Sequence, residues 1–99
     1  MNRQEYLLVC LNEECLEVGK EVDKALRFGL DDWSPNDTPT ETNRKKITQE
    51  LTDLIAVAQM LKDELYIDEF MVDDKLYEKK IRVEYYMTIS EKLGILKNE

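Results

Sequence analysis

The 99-residue chain carries 22 acidic against 14 basic residues and no histidine, a net charge of −8. That balance excludes sequence-independent nucleic-acid binding, which depends on neutralising phosphates with Lys and Arg, and it disfavours adsorption to anionic membranes. Three glycines, two prolines and 36% charged residues exclude a turn-rich β fold and favour helices, in one domain small enough that association is a natural source of further core.

The N-terminal apolar run, YLLVCL, is too short and too soon followed by acids for a signal peptide or a membrane span, so the expected location is the cytoplasm. Helical periodicity predicts a first helix over about residues 4 to 28, with Leu7, Leu11, Val18, Val22 and Ala25 on one face and Gly29 as its C′ residue. Cys10 and Cys15 point about 140° apart on that helix, so zinc and a disulfide are both poor readings and two buried thiols in a reducing cytoplasm are expected. Residues 29–42 form a polar loop containing both prolines and Trp33. A second helix, capped by Thr42 or Asn43, is expected over about residues 43 to 65, with Ile47, Leu51, Leu54, Ala58 and Leu61 on its apolar face. YIDEFMV interrupts the pattern, and a third helix follows an Asp73 N-cap over about residues 74 to 93, ending at Gly94. The class is all-α, a single domain spanning 1–99.

The glutamates of EECLEVGKE are not one charged face. With Leu7 as origin and about 100° per residue, Glu14 falls near 340°, Glu21 near 320° and Glu17 near 280°, all in or beside the apolar stripe. Glu13, Lys20 and Asp23 fall outside it. On the second helix Glu50 and Asp53 lie between aliphatic residues. An isolated ExxE is ordinarily a solvated face; two such i, i+3 pairs inside apolar stripes are costly unless a cation compensates. An all-oxygen ligand set selects a hard ion, Mg²⁺ or Mn²⁺, and helix bundles hold metal sites through such inward carboxylates. A di-iron carboxylate site wants ExxH pairs, which a chain without histidine lacks.

Glu13, Glu14 and Glu17 as EExxE, followed by Glu50 and Asp53 as ExxD, within EECLEVGKEVDKALRFG and ELTDLIAVAQML, resemble the MazG-type all-α nucleoside triphosphate pyrophosphohydrolases. The resemblance covers about residues 5 to 62 well and the third helix loosely. It implies an antiparallel helix bundle completed by oligomerisation, a homodimer or homotetramer with its sites at the bundle interface. It also implies Mg²⁺-dependent cleavage of a nucleoside triphosphate between the α and β phosphates. By position, Glu14, Glu17, Glu50 and Asp53 would hold the metal, and Glu13 would support them or orient water. Lys75, Lys79, Lys80 and Arg82 on the third helix would steady the phosphates, with Lys24 and Arg27 as alternatives; the asparagine that the family often carries beside such residues is not apparent in KLYEKKIR. The stretch between Glu17 and Glu50 is slightly longer than is common, an excess that the proline-containing loop absorbs.

Trp33 would either stack on a nucleobase or anchor the loop, which is itself a possible lid. Tyr85 and Tyr86 are adjacent, so at most one faces a core, and both read as core or subunit interface. Glu21, outside the motif, is expected to support the ligands from behind. The rival reading is a non-catalytic acidic helical module that binds another protein through the same apolar faces.

Overall fold

The computed structural model describes residues 1–97. Among them are three helices and no strand: α1 (Arg3–Phe28), α2 (Asn43–Asp63) and α3 (Asp73–Lys92). The all-helical class is as expected. The chain divides into two compact units, Met1–Asp68 with α1 and α2, and Glu69–Glu99 with α3.

In the first unit α1 and α2 form an antiparallel hairpin tied at both ends. At one end Arg3 grips Glu64 in a two-pronged ion pair, with Nη2 3.0 Å from Oε2. At the other, Asn43 Nδ2 donates to the Gly29 carbonyl at 2.8 Å, and the Asn43 and Arg44 amides donate to Asp32 and Leu30 carbonyls, each at 2.8 Å. Of the two residues expected to cap α2, Thr42 does so, its hydroxyl accepting from the Lys45 amide at 3.3 Å. Asn43 instead becomes the first helical residue and is fully buried, its side chain joining the two ends of the loop.

The helix ends show what the sequence patterns encode and what they hide. Asn2 caps α1 by accepting from the Glu5 amide at 2.8 Å. Gly29, expected one position beyond the cap, occupies the cap itself at φ 100°, where a Cβ would come within 2.6 Å of Asp32 Oδ2. The second helix stops two residues before the expected Leu65, because Leu65 turns left-handed at φ 66°. Tyr66 then donates to Leu61 O at 2.9 Å and Leu65 to Lys62 O at 3.0 Å, the paired bonds of a Schellman ending. Glycine ordinarily takes that place, so the termination left no mark in the sequence.

Among the described residues, Leu7 and Leu61 are the buried apolar side chains, and of the two only Leu61 is fully buried. Leu11, Val18, Ala25, Ile47, Leu54 and Ala58 are half-buried, as their stripes require. Val22 and Leu51, placed in the same stripes by the sequence, are exposed, as is Met60; of the two thiols expected to be buried, Cys10 is half-buried and Cys15 is exposed. Two helices cover only the seam between them; residues on the flanks of each stripe stay open.

In the second unit, Val72 holds the N-cap position of α3 without a side-chain bond, and Asp73, expected to cap, sits one residue inside the helix. There Asp73 and Asp74 still favour the positive end of the helix dipole. Gly94 (φ 76°) is the C′ residue: its amide donates to Glu91 O at 3.0 Å, and that of Ile95 to Ser90 O at 2.9 Å. No residue of α3 is buried. Tyr85 and Tyr86 meet edge to face at 5.4 Å, but both are exposed and neither joins a core. Ile95 and Leu96 fold back to line a groove of about 450 Å³ with Val83, Tyr86, Met87 and Ser90. Among the described residues, no helix is long and apolar enough to cross a membrane.

Candidate functional site: a carboxylate cluster between two helices

The directions read from the helical wheel hold on α1: Glu21 is buried, Glu14 and Glu17 are half-buried, and Glu13, Lys20 and Asp23 are exposed. The hairpin brings Glu50 and Asp53 of α2 against them. One carboxylate oxygen each from Glu14, Glu50 and Asp53 lie within 4.8 Å of one another. Asp53 is exposed rather than enclosed by its apolar neighbours, so the cluster opens to solvent on its side. Glu17 lies outside this tight group, although its charge reaches Glu50. Glu13 faces solvent.

The electrostatics are those of an uncompensated acidic site. Burial pushes the Glu50 carboxyl above its usual range, and the charges of Asp53, Glu14, Glu17 and Glu21 push it further in the same direction. One oxygen of Glu14, Oε2, is buried without a hydrogen-bond donor. Glu21 is only 4% exposed; its Oε1 lies 3.5 Å from Lys24 Nζ, and its Oε2 has no donor. Buried carboxylate oxygens without donors are expensive, and a cation is one partner that could offset the cost. Oxygen donors from two rigid helices fit a hard divalent ion such as Mg²⁺.

The basic residues are distributed differently from the sequence expectation. The Lys24 side chain is largely covered, and its amine turns onto Glu21 one turn back on α1. Lys46, also partly covered, reaches out of α2 to Asp37 Oδ1 at 3.1 Å and Glu41 Oε2 at 3.5 Å. Asp37 further accepts a hydrogen bond from the buried Ser34 hydroxyl at 2.7 Å. That bond, then Lys46 and the field of Lys24, hold the Asp37 carboxyl below its usual range. Charges of alternating sign therefore run from the cluster through Glu21 and Lys24 to the loop. Sequence reasoning missed the loop anchor, although SPND carries the side chain-to-backbone turn chemistry that could have flagged it.

Arg27 is exposed and lies over the Phe28 ring, 5.2 Å from its centre. Trp33 is exposed in the loop. Lys75 pairs with Glu78 at 3.4 Å, and Lys79, Lys80 and Arg82 are exposed on α3 in the second unit. No family model, curated protein or solved structure matches the chain.

Proposed function

We propose that the chain is a Mg²⁺-dependent nucleoside triphosphate pyrophosphohydrolase of the MazG-like kind, cleaving between the α and β phosphates. The observation that carries this reading is the meeting of Glu14, Glu50 and Asp53 oxygens within 4.8 Å across two antiparallel helices. The ordered EExxE and ExxD motifs supply the substrate class by resemblance. Glu14, Glu50 and Asp53 would hold the cation, with Glu17 completing the set on a small side-chain rotation. When bound, the ion lends Lewis acidity and lowers the pKa of a coordinated water.

The protein's own groups do the rest. Burial and the neighbouring charges raise the proton affinity of the Glu50 carboxylate, so among the cluster carboxylates it is the best suited to accept a proton from an attacking water. Glu13, on the solvent side, orients that water from outside the ligand group. Of the two α1 residues expected to meet phosphate, Arg27 is exposed, whereas Lys24 is occupied by Glu21. Trp33 is open to stack on a base. Exposed Val22, Leu51 and Met60 offer apolar surface to a second copy of the chain, the basis for proposing a homodimer or homotetramer.

Those same open flanks, with an α3 that buries nothing, favour a second reading: a non-catalytic module that binds another protein. Incubation with a panel of dNTPs and NTPs plus Mg²⁺ separates the two. Nucleoside monophosphate and pyrophosphate are expected, and both disappear in Glu50→Gln and Asp53→Asn. The enzyme reading fails if no nucleotide turns over while those variants still bind Mg²⁺ as the wild type does.

A further inference from the structure

Glu21 is the feature that the motif reading does not absorb. It is the most deeply buried carboxylate of the group, 4% exposed, and its Oε2 lies in the interior with no donor. A salt bridge with Lys24 does not account for it: that contact is long at 3.5 Å and occupies only Oε1. A structural buried ion pair normally satisfies its remaining lone pairs with further hydrogen bonds, because an open oxygen forfeits the hydration it gave up. Glu21 also has a place along the hairpin. Glu21 follows Glu17 by one helical turn on the same face of α1. The helices are antiparallel, so moving from Glu14 to Glu21 on α1 corresponds to moving from Asp53 back toward Glu50 on α2. Glu21 lies outside the tight Glu14–Glu50–Asp53 group, but its charge reaches Glu50.

We propose that Glu21 is itself a cation ligand, extending the acidic site one turn along α1 beyond Glu17 and sharing Glu50 with the Glu14–Asp53 end, while Lys24 holds its carboxylate until an ion replaces the ammonium. This rests on the cation-binding reading given above. The site then spans five carboxylates, and the ammonium of Lys24 is the charge that an entering ion must displace from Glu21. The field of Lys24 also reaches Asp37, so movement of its amine would be felt in the loop.

Binding of Mn²⁺ alone to the full chain, followed by the electron paramagnetic resonance of the free ion, tests this without reference to turnover. Glu21→Gln keeps the volume and removes the charge; it is expected to weaken Mn²⁺ binding at least fivefold or to remove one ion per chain, with helical circular dichroism unchanged. Lys24→Met is expected to tighten binding, and that gain is expected to vanish in the Glu21→Gln background. If Glu50→Gln and Asp53→Asn abolish binding but Glu21→Gln stays within fivefold at the same stoichiometry, the proposal is overturned and the cation site stands. A wild type that binds no Mn²⁺ overturns the underlying reading and this one with it. Should Glu21→Gln fail to fold, Lys24→Met decides: unchanged or weaker binding refutes a ligand that Lys24 competes for.

Discussion

Replacing Glu50 by glutamine should stabilise the cation-free protein, because it relieves repulsion among the clustered carboxylates. Oxygens of Glu14 and Asp53 lie within 4.8 Å of a Glu50 oxygen. Unit charges at that separation repel by about 1 kcal/mol under water-like screening and about 3.5 kcal/mol at an effective dielectric near 20. Asp53 is exposed and belongs at the low end; Glu14 is half-buried and falls between. Glu50→Gln keeps the shape and removes both repulsions, for a gain of about 2 kcal/mol, or a Tm rise of about 10 °C in a domain of this size. The pH dependence has a definite sign. Folding raises the Glu50 pKa above 4.5, so the folded state holds its proton to higher pH than the unfolded state does. Stability from this group is therefore lost as pH rises from 4.5 through the folded-state value, and Glu50→Gln lacks that decline. Thermal melts by circular dichroism in EDTA and in saturating Mg²⁺ measure both effects. Mg²⁺ at about 100 times its Kd should stabilise the wild type by about 2.7 kcal/mol and the variant far less. A variant that melts lower in EDTA, or gains as much from Mg²⁺ as the wild type, would refute the reasoning.

Leu65→Gly should stabilise by about 1 kcal/mol in urea denaturation, since glycine enters the left-handed region without the Cβ penalty that Leu65 bears at φ 66°. Asn43→Ala removes the amide that satisfies Gly29 O from a fully buried position and should cost about 1–3 kcal/mol by the same measurement. The folded Asp37 pKa is depressed below 3.8, so its contribution is present above that pH and lost as pH falls through the lower folded value; Asp37→Asn should flatten that part of the acid-unfolding curve.

Periodicity and caps made much of the hairpin legible. The wheel separated Glu14, Glu17 and Glu21 from Glu13 and Lys20 because a helix face is fixed by spacing alone. What the wheel could not supply was depth. It placed Val22, Leu51 and Asp53 inside apolar arcs, but how much of an arc is covered depends on what packs against it, and one partner helix covers a narrow seam. Leu65 ended α2 without a glycine, so no residue type announced the turn. Lys24 escaped for a different reason: its i, i+3 spacing sets it one turn from Glu21, but the family resemblance offers it as a phosphate contact, and the pairing of its amine shows only in the folded chain. The motif carried a proposal that geometry alone did not, since three clustered carboxylates are compatible with a cation and leave the substrate open.

The products formed from a single dNTP test the central claim most directly. Followed by ³¹P NMR in the presence of Mg²⁺, the wild type should give pyrophosphate and the nucleoside monophosphate in equal amounts, with Glu50→Gln inert. Release of orthophosphate and nucleoside diphosphate, or no turnover by a chain shown to bind the cation, would contradict the account.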